Sequence, residues 1–193
     1  MIELLPLFGF VFFGLFSPGP NVVLITASGA RFGLPATLPH ILGIALGVSI
    51  IAGSVGFGLG SILELWPVLR IALQIIAAAW IIWMAWRLWH AKPAAEADSD
   101  RPFTFTQAVL FQWVNPKIWA VAMSATAYIT EHPPIAQSVI LALTFPTLNL
   151  FILTFWAWAG TWLSFLRSSP KGWRIFMRIM ALGLGFFSLA VFL

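Results

Sequence analysis

The sequence predicts an all-α integral membrane protein with six transmembrane helices. Three observations support this prediction: 61% of the 193 residues are hydrophobic, only 8% are charged, and the mean hydropathy is +0.97. The charged content is about a third of that of an average soluble protein. Eleven Trp and eighteen Phe residues would overfill a soluble core of this size, but they suit lipid-facing surfaces and interfacial aromatic belts. We therefore expect a single transmembrane domain over residues 1–193.

Six hydrophobic segments follow one another along the chain, and about 20 apolar residues are enough to cross the hydrocarbon core as a helix. Residues 1–16 have no basic n-region and no small-residue cleavage site, so we interpret them as part of a retained first span. The six predicted spans are residues 4–28, 38–62, 67–89, 104–129, 137–163 and 174–193.

Basic residues fall mainly on one side of these spans. The other side has Arg70 together with the acidic residues Glu3, Glu64 and Glu131. The basic side has Arg31, Arg87, Lys92, Arg101, Arg167, Lys171, Arg174 and Arg178. By the positive-inside rule, both termini lie outside and the three basic loops face the cytoplasm. We therefore assign the net charge of +4 to membrane orientation and expect no nucleic-acid partner.

The second basic loop divides the chain into two halves. Residues 91–103 are rich in Pro, Ala and charge, and they join the halves 1–90 and 104–193, each with three spans. Because each half has an odd number of spans, the second half enters the membrane in the opposite sense, as in inverted-repeat transporters. In both halves the first span is interrupted by proline, at residues 17–21 and 115–117. We predict a 3+3 inverted repeat with broken helices 1 and 4.

The prolines predict unusual backbone chemistry in the interrupted spans. Proline removes one N–H and displaces the carbonyl four residues earlier, which predicts free carbonyls at Gly14, Phe16 and Gln112. Ser17 and Asn115 are placed to cap the helices that restart with proline, and helix N-termini favour an anion. A free amino acid matches both features, since its carboxylate suits the N-termini and its ammonium suits the carbonyls. Alternatively, the prolines only kink two helices for packing.

Two further polar residues fall inside predicted spans. Lys117 is the only basic residue assigned to mid-span, where a charge costs from about 3 to above 10 kcal/mol. Either it binds the carboxylate of a substrate, or it lies near enough to an interface to reach water. Asn149 follows Thr144 and Thr147 in the fifth span, and it either lines the same cavity or hydrogen-bonds a neighbouring helix.

The residues that the sequence lacks exclude several kinds of site. The chain has no cysteine, and none of its acidic residues falls inside a predicted span. His40, His90 and His132 lie far apart near span ends, so they show no metal-ligand or catalytic spacing. We therefore expect no cofactor, no metal site and no enzyme activity. His40 is either a proton site or a capped histidine at the membrane interface.

Residues 17–21 (SPGPN) and 115–117 (NPK) resemble the two signature segments of the lysine exporter / homoserine-threonine resistance (LysE/RhtB) family of amino acid exporters. The resemblance covers the whole chain, including its length, its six hydrophobic segments and a glycine-bearing second span. Residues 85–87 (AWR) and 111–115 (FQWVN) are similar to the cysteine and O-acetylserine exporter branch. The resemblance implies efflux of amino acids across a bacterial inner membrane, driven by the proton gradient.

These observations predict an alternating-access exporter with one substrate site near the membrane midplane, between the broken spans. Its predicted residues are Ser17, Pro18, Gly19, Pro20, Asn21, Asn115, Pro116, Lys117 and Asn149. The expected partners are the lipid bilayer, an amino acid and a proton as counter-ion, in a monomer or a homodimer. We expect small neutral substrates of the cysteine, O-acetylserine, homoserine or threonine type, because a cationic substrate would require a buried acid. Export of cationic amino acids, export of small ions or metals, and a membrane enzyme are the alternatives.

Overall fold

The computed structural model describes residues 4–17, 19–59, 65–91 and 101–190, and the regular structure in these ranges is helical. The described α-helices are α1 (Leu5–Phe16), α2 (Pro20–Gly56), α3 (Pro67–Trp89), α4 (Phe105–Trp113), α5 (Pro116–Ala125), α6 (Pro134–Trp162) and α7 (Pro170–Ala190). Short 3-10 helices at Thr126–Tyr128 and Leu163–Ser168 follow α5 and α6. The prediction of an all-α fold is confirmed for these ranges. Most of the predicted connecting loop, residues 92–100, lies outside them.

Helix α2 contains the end of the first predicted span and most of the second. Its 37 residues would extend about 55 Å if straight, well beyond a hydrocarbon core of roughly 30 Å. Gly33 interrupts the helix with φ 81° and ψ 168°, a conformation that other L-residues rarely adopt. The hydroxyls of Ser28 and Thr37 lie 2.9 Å apart, so the segments on either side of Gly33 fold back on each other. The predicted gap between the two spans, residues 29–37, is therefore reduced to one non-helical residue.

The helices of the first and fourth predicted spans are also interrupted near the prolines, as predicted. Helix α1 ends at Phe16 and α2 begins at Pro20, while α4 ends at Trp113 and α5 begins at Pro116. Both prolines lie in the first turn of their helices, where the missing N–H would have had no intrahelical partner. Each broken span therefore consists of two helices in series.

The predicted cap at the first break is wrong. Gly19 is the N-cap of α2, because Pro20 begins that helix and the residue before it becomes the cap. Ser17 instead lies at the C-terminus of α1, where its hydroxyl donates to the Gly14 carbonyl oxygen at 2.9 Å. The Gly14 carbonyl, predicted to be free, is therefore satisfied locally.

At the second break, Asn115 is the N-cap of α5 as predicted, but its side chain makes no capping hydrogen bond. The carbonyl of Gln112, which was predicted to be free, accepts the backbone N–H of Asn115 at 3.1 Å. A backbone turn between α4 and α5 provides this hydrogen bond just before α5 begins at Pro116. This carbonyl is therefore not free, and its use by substrate stays a prediction.

The two broken spans run in opposite directions. Gly14 lies against Val121, Gly19 lies against Lys117, and Asn21 hydrogen-bonds Gln112, so residue numbers rise along one span as they fall along the other. A Cβ atom at Gly14 would lie 3.0 Å from Val121 Cγ1, and one at Gly19 would lie 2.7 Å from Lys117 Cδ, so either neighbour would have to shift. Glycine therefore allows the two breaks to approach closely.

The remaining helices of the two halves also pack in opposite directions. In the second segment of α2, Ser49 donates to the Ala142 carbonyl oxygen at 2.7 Å, and Gly56 lies against Gln137 of α6. Between α3 and α7, the Arg178 guanidinium lies 4.8 Å from the centre of the Trp89 ring. Farther along the same pair, Ile81 and Leu184 belong to one buried cluster. Helices of the first half thus lie antiparallel to helices of the second half.

Helices α2 and α6 form the centre of the molecule. Gly29 packs directly against the Ala157 carbonyl oxygen, and Gly160 packs against the Thr26 carbonyl oxygen. The buried core around them is aliphatic, with Phe145 as its largest member, and includes Ile41, Ile44, Val48, Ile51 and Ile152. By contrast, many large apolar side chains are exposed, among them Phe13, Val68, Phe151, Leu182 and Phe186. Such a surface suits lipid far better than water.

Candidate functional site

The two helix breaks face each other and are joined by Lys117. Its ammonium donates a hydrogen bond to the backbone carbonyl oxygen of Ser17. A Cβ atom added at Gly19 would lie 2.7 Å from Lys117 Cδ and 2.8 Å from its Nζ, so the lysine side chain occupies the space that glycine leaves. Lys117 therefore bridges the break of the first span from the start of α5.

Three buried side-chain amides lie next to this bridge, and we call Asn21, Gln112 and Asn115 the amide cluster. Asn21 Nδ2 donates to Gln112 Oε1 at 2.8 Å, and Gln112 Nε2 donates back to Asn21 Oδ1 at 3.2 Å. Asn115 Nδ2 donates to the same Gln112 oxygen at 3.4 Å. Gln112 Nε2 also donates to the Ala108 carbonyl oxygen at 3.0 Å. The cluster links α2 to both helices of the second broken span.

Glycine in the second segment of α2 makes room for Gln112. A Cβ atom added at Gly47 would lie 2.6 Å from Gln112 Cγ, so any larger residue would displace the glutamine. Gln112 is fully buried, and Asn21 and Asn115 are 7% and 1% exposed. In this low-dielectric setting a satisfied polar network holds one geometry, and a broken one is costly.

Two buried amide atoms have no hydrogen-bond partner among the described residues. They are Asn115 Oδ1, an acceptor, and Asn149 Nδ2, a donor. A buried polar atom without a partner costs about 1–3 kcal/mol, and such atoms in a native structure call for an explanation. An ammonium group would satisfy the first atom, and a carboxylate would satisfy the second. No hydrogen bond among the described residues connects Asn149 to the amide cluster.

The structure therefore brings most of the predicted site together. Ser17, Gly19, Asn21, Asn115 and Lys117 meet at the paired breaks. Pro20 and Pro116 begin the adjoining helices, Asn149 lies buried on α6, and Pro18 lies outside the described residues. Their role in substrate binding stays a prediction.

Sequence reasoning missed the side chain of Gln112. The sequence analysis used this residue only as a backbone carbonyl, although its amide is the centre of the network. One signal was present, because a glutamine within an apolar span needs a hydrogen-bond partner and Asn115 follows three residues later. Its contact with Asn21, 91 residues away in the chain, has no local signature.

We expect Asn21 and Gln112 to contribute to stability as a pair. A double-mutant cycle with Asn21→Ala and Gln112→Ala should give a coupling free energy of about 0.6 kcal/mol and at most about 1.7 kcal/mol, the average and the maximum for hydrogen bonds between membrane helices. Unfolding of the purified protein by denaturant in detergent would measure it. Asn21→Ala combined with Thr130→Ala, an exposed residue, is the additive control. If the destabilising effects of Asn21→Ala and Gln112→Ala were additive, the two side chains would not stabilise the protein through a shared hydrogen bond.

Comparison with known proteins identifies the family of the chain. A family model described as "LysE type translocator" matches residues 12–193. A "Cysteine/O-acetylserine efflux protein" of Klebsiella pneumoniae subsp. pneumoniae is 32% identical over 153 residues, which are 75% of this chain and 74% of that protein.

Two further relatives are described as uncharacterized membrane proteins. The one from Vibrio cholerae is 23% identical over 71% of this chain and 70% of its own length. The one from Pseudomonas aeruginosa is 28% identical over 55% of this chain and 54% of its own length. No solved structure matches the chain. The family match covers nearly the whole sequence, including both helix breaks, so this chain belongs to the family of LysE type translocators and is a multi-pass membrane protein.

Proposed function

We propose that this protein exports small neutral amino acids or their close derivatives, cysteine and O-acetylserine among them, by alternating access. The observation that supports this most directly is the meeting of the two helix breaks through Lys117, Ser17 and the amide cluster. One cation, backbone carbonyls and amide groups lie together in a largely apolar protein. These are the groups that bind the carboxylate and the ammonium of a zwitterion.

The proposed architecture has six spans arranged as an inverted repeat. Span one comprises α1 and the first segment of α2, and span two is the second segment of α2. Spans three, five and six are α3, α6 and α7, while α4 and α5 together make span four. The antiparallel packing of the first half on the second supports this arrangement. Helix α2 and the helical stretch Pro134–Leu166 are each long and apolar enough to cross a membrane.

The charge of the described helices supports a neutral substrate. None of the seven helices contains an Asp or Glu residue. A cationic side chain within the bundle would therefore have no acidic counter-charge on these helices, which is costly at membrane depth. The relative from Klebsiella pneumoniae is named for efflux of cysteine and O-acetylserine, both of which have uncharged side chains. We propose the same substrate class for this chain.

We also propose that the protein lies in the bacterial inner membrane with both termini outside, and that the proton gradient drives export. The distribution of Arg and Lys residues supports this orientation. Lys117 at the paired breaks and the buried His40 are the side chains we propose as proton sites. Since the members of the family are transporters rather than enzymes, the membrane-enzyme alternative has no support from the family match.

Export from cells that overproduce the protein tests this function. Cysteine, O-acetylserine, homoserine, threonine and lysine would be measured in the medium, with and without an uncoupler of the proton gradient. We expect several-fold more release of a neutral amino acid than from cells with empty vector, and loss of that release with uncoupler. Release of lysine in excess of every neutral amino acid would contradict the proposed substrate class. No release of any of the five would contradict the function.

A further inference from the structure

The described helices pack as two groups of unequal size. Helices α1, α2, α4, α5 and α6 pack against one another, and we call them the central group. Helix α3 packs mainly against α7, and α7 contacts the central group mainly through α2. We call α3 and α7 the outer pair. In the proposed architecture these two helices are the third spans of the two halves, so they occupy equivalent places in the inverted repeat.

The two long helices of the central group are held together by close contacts to backbone. Gly29 of α2 packs directly against the Ala157 carbonyl oxygen of α6. Farther along the same pair of helices, the Ser49 hydroxyl donates to the Ala142 carbonyl oxygen at 2.7 Å. Sliding or separating the helices would lose this packing and this hydrogen bond. We therefore expect α2 and α6 to move together.

The outer pair contacts the central group through apolar side chains. One buried apolar cluster joins α2 and α4 to both helices of the outer pair, and we call it the apolar layer. It comprises Val23, Leu24, Ile81, Met84, Phe111 and Leu184. Apolar contacts are non-directional, so they can be made and broken over a range of helix positions.

The same interface encloses polar groups away from water. Trp173 of α7 is fully buried in a cluster with Ala27 and Ala30 of α2, and its indole nitrogen has no hydrogen-bond partner among the described residues. The same is true of the indole nitrogen of Trp80, which packs against the apolar layer, and of both ring nitrogens of His40. A buried donor without a partner costs free energy that contact with water would recover. Opening this interface would therefore be favoured by hydration of these groups.

A cavity of about 240 Å³ lies along this interface. Its wall includes Ser28 of α2 and Phe103 just before α4, and on the other side Met84 and Leu88 of α3 and Met177 of α7. The cavity is at the end of the bundle where basic residues collect, which faces the cytoplasm in the proposed orientation. The outer pair is therefore already partly separated from the central group at this end.

The apolar layer lies between this cavity and the amide cluster. Leu24 and Met84 belong both to the cavity wall and to the apolar layer. Val23 of the same layer is two residues from Asn21, and Phe111 directly precedes the glutamine of the amide cluster. Moving the outer pair away from α2 would open this layer.

We propose that the outer pair is the moving element of the transporter. Helices α3 and α7 move together against α2, and their separation from α2 opens a cytoplasmic path to the amide cluster. This inference rests on the proposed function and names the helices that provide alternating access. Because α3 and α7 occupy equivalent places in the two halves, one rocking motion of the pair can open one side of the membrane while it closes the other.

A disulfide across the interface tests this inference, because the chain has no cysteine of its own. A Cβ atom at Gly183 of α7 would lie 3.9 Å from Val23 Cγ2, so Val23→Cys and Gly183→Cys place two thiols within reach of a disulfide. Met177→Cys is the reporter, since Met177 is 1% exposed and packs between α7 and α2. After oxidation, only the reporter thiol can react with a charged maleimide. We expect the disulfide to slow its labelling several-fold in nanodiscs, relative to the Met177→Cys protein alone.

The matched control joins two helices of the central group. A Cβ atom at Gly53 of α2 would lie 3.1 Å from Ala142 Cβ of α6, so Gly53→Cys and Ala142→Cys form a second disulfide. In the Met177→Cys protein, this disulfide should leave the labelling rate unchanged. Equal slowing by both disulfides, or slowing by neither, would overturn the outer pair as the moving element. Failure of Val23→Cys and Gly183→Cys to oxidise with copper phenanthroline would overturn the contact of α7 with α2.

Transport by the same proteins separates this inference from the proposed function. Release of the five amino acids of the export assay would be measured from proteoliposomes. Oxidation of the Val23→Cys, Gly183→Cys protein should stop release and dithiothreitol should restore it, whereas the control disulfide should have no effect. Labelling slowed only by the first disulfide, in a protein that releases none of the five, would contradict the proposed function alone. Release that continues with the first disulfide formed would contradict the role of the outer pair alone.

Discussion

Lys117→Met is expected to reduce export of the preferred amino acid by roughly one to two orders of magnitude, the effect of losing a charge-assisted hydrogen bond of about 1.5–3 kcal/mol. Lys117 is the cation at the paired breaks, and its ammonium bonds the Ser17 carbonyl oxygen across the interface of the two broken spans. Methionine keeps an unbranched apolar chain against Gly19 but removes the charge. The amount of protein in the membrane should therefore change little while transport falls. Initial rates in proteoliposomes, normalised to protein content, would measure this.

The matched control for this prediction is Lys171→Met. Lys171 lies exposed in the first turn of α7, and its replacement removes the same charge far from the two breaks. Its transport rate should stay within about twofold of wild type, as for surface substitutions. Equal rates in the Lys117→Met protein and the Lys171→Met control would remove Lys117 from the site and leave the amide cluster as the remaining candidate.

Gly29→Ala and Gly160→Ala are expected to destabilise the protein by about 1–3 kcal/mol each, and to leave much of it aggregated on extraction. An added methyl at Gly29 would penetrate the Ala157 carbonyl oxygen, and one at Gly160 would penetrate the Thr26 carbonyl oxygen. Both obstacles are helix backbone, which cannot rotate away as a side chain can. Helices α2 and α6 would have to separate along the centre of the molecule. The thermal unfolding midpoint and the monodisperse fraction after size exclusion would report this.

Gly9→Ala and Gly185→Ala are the controls, because a Cβ atom at either position has no neighbour within 4 Å among the described residues outside its own helical turn. Both lie inside helices, where alanine is favoured over glycine, so these variants should be as stable as wild type or slightly more stable. If the Gly29→Ala and Gly160→Ala proteins unfolded at the same temperature as these controls, the close α2–α6 contact would be absent from the protein in its membrane.

Helix and membrane character could be predicted from sequence because they depend on local properties. Apolar runs of span length and a low charge content predicted an all-helical chain, and the regular structure of the described residues is helical. The breaks near Pro20 and Pro116 could be placed because proline removes its own N–H wherever it occurs. The sequence prediction was wrong where two neighbouring residues could each have capped the same helix. Gly19 rather than Ser17 caps α2, since the cap depends on which proline starts the helix.

The sequence by itself therefore determined the all-α fold class and the positions of the two helix breaks. Only the tertiary structure decided what meets at those breaks. The Asn21–Gln112 pair and the Lys117–Ser17 bridge join residues about a hundred positions apart, and such contacts depend on helix packing that no local pattern encodes. The same holds for the cavity of about 240 Å³ whose wall includes Arg31, Arg87 and Arg101. These residues were interpreted singly as orientation signals, and helix packing brings them to one cavity.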